Sequence, residues 1–200
     1  MSDHSLLPAP EVQLSAQDFD RVRELIRRHV GIHLPPSKRT MVFSRLSRRL
    51  RETGHRDFSA YLDGVDGPSS PEWQQFVNAL TTNLTSFFRE AYHFPMLADF
   101  LRTECPSGRA PAIWCAAAST GEEPYSLAIT VAETLGGASA ARIIASDIDT
   151  NVLATARRGV YPLAAVEALD PKIRHRYFMR GVGERSGQVK VKPELAKMIE

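Results

Sequence analysis

The pattern predicts a small all-helical region followed by an α/β region built on a parallel sheet, and three observations predict it. Amphipathic helical periods crowd the first 80 residues. Ile113 to Ala128, IWCAAASTGEEPYSLA, is an apolar run that stops at small residues and opens into an acidic amphipathic helix, which reads as strand, tight loop and helix. A second apolar run, Arg142 to Ser146 (RIIAS), leads into another helical period, and alternation of strands with helices indicates a parallel sheet with crossover helices.

Taken in order, residues 1–13 hold two prolines and little periodicity, and read as a mobile tail. Residues 14–80 form the helical domain. Its first helix opens at Ser15, whose partner three residues on is Asp18, a capping box with Asp in place of Glu. Phe19, Val22, Ile26 and Val30 line one face and Gly31 ends it. After HLPPS a second helix runs from about Lys38 to Thr53, with Val42, Phe43, Leu46 and Leu50 inward and Lys38, Arg45 and Arg49 as a neighbouring basic stripe. A short helix near Phe58 to Leu62 precedes the breaker-rich GVDGPSSP. The next helix takes Ser70 as cap and Pro71 at its first position, and packs Trp73, Phe76, Val77 and Leu80. Residues 81–90 read as a polar linker, and 91–200 as the α/β region. There Thr150 to Arg158 is a helix, Pro162 to Leu169 is ambiguous, and Asp170 to Phe178 is helical. Met179 to Lys192, punctuated by Gly181, Gly183 and Gly187, reads as a β-hairpin.

Composition excludes several classes. At 200 residues with 43% hydrophobic content the chain can build an ordinary globular core. No apolar run approaches a membrane span and the N-terminus lacks a secretory pattern, so the expected compartment is the cytoplasm. Cys105 and Cys115 lack metal-ligand spacing, as do the histidines, so no metal site is expected. Net charge is +2, yet Asp18 to Arg56 carries eleven Lys/Arg against four Asp/Glu, a local +7 that leaves −5 elsewhere. The asymmetry suggests an acidic partner for the N-terminal part. Nucleic acid is disfavoured, because aromatic residues are not interleaved and no helix-turn-helix or RNA-binding signature accompanies the charge.

Asp147 follows Gly121 by 26 residues, near the spacing between a dinucleotide-type loop and its ribose-binding acid. Ala116 to Gly121 offers backbone with little side chain in the way, so a ligand can approach closely. A phosphate wants free N–H groups and a cation at the helix start. Glu122 and Glu123 stand there instead, which repels phosphate and could receive an ammonium or sulfonium group. S-adenosylmethionine carries both. Two Glu at a helix start also occur simply as favourable N-terminal charge.

The segment Thr81 to Pro95, TTNLTSFFREAYHFP, together with WCAAASTGEEPYSLA and ASDIDTNVLATARRGVY, resembles the chemotaxis-receptor glutamate O-methyltransferases, the CheR family. The likeness runs from about Leu14 onward and includes RHRYFMRG. It implies a class I, Rossmann-like methyltransferase domain with an inserted antiparallel β element, and methyl transfer from S-adenosylmethionine to receptor glutamates, releasing S-adenosylhomocysteine. By resemblance Asn83, Thr85 and Arg89 contact the cofactor, with Ala117 and Gly121 in its loop. Glu122 is the choice for the methionine-side ammonium, with Glu123 as fallback, and Asp147 for the ribose, although Asp147 could instead cap a helix. The stripe Lys38, Arg45 and Arg49 would then meet the acidic methylation helices of the receptor. The hairpin would either capture a receptor C-terminal peptide by strand addition or merely cover the sheet edge. A monomer without membrane insertion is expected. A carboxylate substrate is ionised at neutral pH and needs no general base, so no catalytic residue is assigned. Two convincing parallel strands, against about seven in the family, lead to the expectation of a C-terminally incomplete domain that is inactive alone. The alternative is a non-catalytic receptor-binding module keeping part of the cofactor site.

Overall fold

Contacts divide the chain into two units, one ending at Thr81 and the other beginning at Thr82. The computed structural model describes residues 12–105, 111–137 and 141–200, so most of the expected N-terminal tail lies outside the described residues.

The first unit is helical. Helix α1 (Ala16–Val30) begins where the Ser15 hydroxyl accepts the Asp18 N–H at 3.0 Å, and ends at Gly31 in the left-handed region. A 3₁₀ turn, Pro36–Lys38, leads into α2 (Arg39–Thr53). Asp57 caps α3 (Phe58–Asp63) by accepting the Ala60 N–H at 2.8 Å. Helix α4 (Trp73–Leu80) starts later than the Ser70-Pro71 signal implies. Ser70 instead closes the turn before it, donating to the Gly64 carbonyl at 2.6 Å. Val22 and Ile26 of α1, Val42 and Leu46 of α2, Phe58 and Tyr61 of α3 and Phe76 of α4 are fully buried in one core. Each such apolar side chain contributes roughly 1.5–3 kcal/mol by leaving water.

The second unit opens with an irregular segment, then α5 (His93–Glu104), a helix that the pattern reading passed over. Pro95 sits in its first turn, where a missing N–H costs nothing. The parallel pair β1 (Ala112–Ala116) and β2 (Arg142–Ser146) aligns Cys115 with Ala145, and α6 (Glu122–Leu135) crosses between them. Residues 198–200 lie along β2 as a further parallel line: Ile143 N–H donates to Met198 and Glu200 N–H to Ile143, at 2.8 and 2.9 Å. Helix α7 (Thr150–Arg158) follows β2.

The expected hairpin is a three-stranded antiparallel sheet. Its strands are β3 (Val160–Pro162), β4 (Phe178–Arg180) and β5 (Gln188–Val191), in the order β3-β5-β4, with α8 (Pro171–Tyr177) between β3 and β4 and α9 (Pro193–Ala196) after β5. A lone two-stranded hairpin is marginal in water; the third strand supplies Tyr161 to the core and tolerates Pro162 because β3 is an edge. Ile143, Leu101, Ile129, Tyr161, Phe178, Val189 and Leu195 share one core. On the opposite face, the register partners Trp114 and Ile144 are 70% and 40% exposed. No helix among the described residues is long and apolar enough to cross a membrane.

Candidate functional site

The loop after β1 is bent by two non-glycine residues in the left-handed region, Ala117 (φ 63°) and Ser119 (φ 50°). Such positions cost of the order of 1–3 kcal/mol each and persist only where neighbours hold them. Asp147, just beyond β2, supplies that hold: its carboxylate accepts the Ser119 N–H at 2.8 Å and the Asp149 N–H at 2.9 Å. The residue expected to hold a ribose thus also ties the two strand-end loops together. Gly121 (φ 103°) is required here, since a Cβ would lie 2.6 Å from the Tyr161 hydroxyl and 2.8 Å from Ala156 Cβ.

Asp149 is 3% exposed and caps α7, accepting N–H groups of Asn151 and Val152. Its second oxygen accepts the Asn83 side-chain amide at 2.7 Å. Asn83, Asp149, Asp147 and Ser119 therefore form one connected chain at the carboxyl ends of β1 and β2, where open α/β sheets bind ligands. Thr85 lies half-buried in the same segment as Asn83. Arg89 is exposed and donates to the Leu84 carbonyl at 2.8 Å, closing its own turn rather than joining that chain. The segment is strained at Phe88 and Glu90, both at φ 53°, and is pinned by the Phe88 N–H to the buried Ser126 hydroxyl at 2.9 Å.

The two acids at the start of α6 part company. Glu122 accepts the Thr120 hydroxyl at 2.6 Å and faces Tyr161, whose phenol is pushed up by burial and then by the Glu122 charge. Glu123 accepts the Cys115 thiol at 3.4 Å. Burial first, then Glu123, and more weakly Asp147 push the Cys115 thiol up to about 12, so both carboxylates act on one sulfur. Glu123, the fallback acid, thus turns to Cys115 of β1, whereas Glu122 turns to Thr120. Ser119, which the sequence pattern does not single out, keeps its hydroxyl buried without a hydrogen-bond partner among the described residues. Small residues, acids on two sides and a buried hydroxyl with bonding capacity to spare fit a polar ligand bearing positive charge.

Residues 83–200 match the family domain described as the CheR methyltransferase SAM binding domain, and residues 17–81 its all-alpha domain. The chain belongs to the CheR methyltransferase family. It is 51% identical over 189 residues to a chemotaxis protein methyltransferase of Salmonella typhimurium, covering 94% of this chain and 65% of that protein. It is 50% identical to the Escherichia coli protein of the same name, with the same coverage. Against chemotaxis protein methyltransferase 2 of Pseudomonas aeruginosa it is 49% identical, covering 95% of this chain and 68% of that protein. The chain thus spans about two thirds of the length of these CheR relatives. S-adenosylmethionine is the cofactor of the matched CheR domain, and the acid-lined loop after β1 has the chemistry to hold it.

The basic stripe of the CheR all-alpha domain is divided. Lys38 is exposed, in the turn before α2 rather than on it. Arg45 donates to the carbonyls of Ala79 and Thr81, filling orphan acceptors at the end of α4. Arg49 makes a two-pronged ion pair with Glu72 at 2.7 and 2.8 Å and also pairs with Glu52; Tyr61 donates to the same Glu72 at 3.0 Å. Arg49 is only 17% exposed, and its hydrogen bonds to Glu72 raise its pKa. The spacing placed three cations near one another, but two are spent inside the bundle. Arg28, Arg51 and Arg56 are exposed and, like Lys38, have no carboxylate partner among the described residues.

Proposed function

We propose that this chain binds S-adenosylmethionine at the carboxyl ends of β1 and β2 and serves the transfer of its methyl group to glutamate side chains of chemotaxis receptors. The observation that carries the reading is the connected set Asn83, Asp149, Asp147 and Ser119, with Glu123 alongside, inside the matched cofactor-binding domain. When bound, the cofactor supplies an electrophilic methyl group on a sulfonium. The chain's own part is to hold and orient. Asp147 accepts the ribose hydroxyls with the lone pairs left after its two backbone contacts, Glu123 receives the ammonium, and Asn83 and Thr85 line the segment opposite. A receptor glutamate arrives already ionised, so positioning in a water-poor site is the service that accelerates transfer, and no residue need move a proton.

The acidic receptor is met by exposed cations of the helical unit that lack a carboxylate partner among the described residues, Lys38, Arg51 and Arg56, with Arg45 and Arg49 shaping the surface they stand on. A receptor C-terminal peptide has a second landing place at the edge strand β4. There a groove of about 530 Å³ is lined by Arg174, Phe178, Met179, Arg180, Val189 and Lys192, with cations suited to a terminal carboxylate. Calorimetry with S-adenosylhomocysteine, followed by labelled methyl transfer to a receptor cytoplasmic fragment, tests the reading. Binding weakened in Asp147→Ala is expected. Equal affinity in the variant would move the ribose contact off Asp147 and leave that acid to loop geometry.

A further inference from the structure

We infer that Tyr161 of the antiparallel sheet is a positioning residue for the cofactor loop, so that the sheet is a built-in buttress of the cofactor site, whatever its β4 edge binds. The inference rests on the proposed cofactor reading for its consequence, and on geometry for its cause.

Tyr161 sits in β3, paired with Val189 of β5, and is 3% exposed. Its hydroxyl donates to the Thr120 carbonyl at 2.8 Å, on the loop that carries the strained Ala117 and Ser119 and ends at Gly121. Gly121 carries no Cβ at the point where one would meet that hydroxyl. The loop and the phenol therefore fit each other on two counts, a hydrogen bond and the absence of a side chain. The ring does a second job. Phe87 packs edge-on against it with centroids 5.0 Å apart, and against Phe178 of β4 at 5.4 Å. Phe87 lies between Asn83 and Arg89, so the segment bearing Asn83 and Thr85 rests on Tyr161 of β3, which anchors the loop, and on Phe178 of β4 in the same sheet. One phenol thus sets the distance between the two walls of the site. Burial first, and then the Glu122 charge, push its pKa up, which favours the protonated, donating phenol.

Tyr125 provides the control. It is also buried, and its hydroxyl donates to a backbone carbonyl of α7, Ala156 at 2.9 Å, rather than to the loop; its ring stands edge-on to Tyr161 with centroids 6.2 Å apart, a contact that Tyr125→Phe keeps. Losing one buried hydrogen bond that fixes a ligand loop is expected to weaken binding about tenfold. The experiment compares the full chain with Tyr161→Phe and Tyr125→Phe by two measurements. Hydrogen exchange without cofactor reads the Ala118 and Gly121 amides, which close the loop on Ser146 and Ala118. Calorimetry reads S-adenosylhomocysteine affinity. Tyr161→Phe should speed exchange at those amides about tenfold and weaken binding about tenfold, while Tyr125→Phe changes both by less than twofold. Unchanged exchange in Tyr161→Phe, or equal effects in the two variants, overturns the inference. Selective loosening of the loop in a chain whose unaltered form does not bind S-adenosylhomocysteine would uphold the buttress and overturn the cofactor reading instead.

Discussion

The Asn83 side-chain amide donates to Asp149 across 2.7 Å, although 66 residues separate them. This contact fixes which end of the Asn83 carboxamide faces the strand ends. Asp149→Asn separates the two duties of the carboxylate. Asn caps helices as well as Asp does, so stability should change by less than about 0.5 kcal/mol. The new amide would oppose the Asn83 amide, donor against donor, and Asn83 would have to turn over. Affinity for S-adenosylhomocysteine should fall about tenfold. Calorimetry and urea unfolding check the pair. A matching loss in both would reduce Asp149 to a cap.

Asp147→Ala removes a carboxylate that holds the Ser119 and Asp149 amides and, as proposed, the ribose. A charge-assisted contact of this kind is worth roughly 1.5–3 kcal/mol, or about 10- to 150-fold in affinity. Asp147→Asn keeps one acceptor for the loop and should lie between. If the alanine variant bound S-adenosylhomocysteine as well as the parent, the acid would serve loop geometry alone.

What could be read in the sequence was local. The cap at Ser15 and the stop at Gly31 involve partners three or four residues apart, and both stand in α1. Asp149, the cap of α7, stands one residue before the helix that the pattern begins at Thr150, so its partners are local too. Helix α5 escaped notice because Tyr92, Met96 and Phe100 are exposed and blur the apolar period, and β3 because three residues ending in proline carry no strand signal. The basic stripe is divided for a geometric reason. Spacing says that Arg45 and Arg49 flank an apolar face, but not that α4 covers that flank with open carbonyls and Glu72. The Asn83–Asp149 and Tyr161–Thr120 contacts join elements that only the fold brings together.

Cys115 should be a silent thiol. Its pKa is raised to about 12 from 9.0 by burial and by Glu123, so at pH 8 a disulfide reagent should titrate only the half-buried Cys105 until the chain unfolds. The sign follows from linkage. The folded thiol keeps a proton that the unfolded thiol loses above pH 9, so its contribution is complete below that value and is lost as pH rises toward 12. Urea midpoints at pH 8 and pH 10.5 should therefore fall further in the parent than in Cys115→Ala. Equal falls would mean that the thiol titrates normally.

The divided stripe yields a discriminating prediction about docking. Lys38 and Arg51 are exposed and lack carboxylate partners among the described residues, so Lys38→Glu with Arg51→Glu should leave stability within about 0.5 kcal/mol while weakening association with an acidic receptor fragment severalfold. Arg49→Leu should behave in the opposite manner. It strands Glu72 beside Tyr61 in a half-buried site, at a cost of about 2–3 kcal/mol, yet removes no charge that a partner could reach. Salt separates the two effects. Exposed attraction is screened beyond about 8 Å at physiological ionic strength, so raising salt should reproduce the double reversal and scarcely touch the Arg49 defect. Association insensitive both to salt and to the reversal at Lys38 and Arg51 would remove electrostatic docking by this unit, and would leave the edge of β4 as the surface to test.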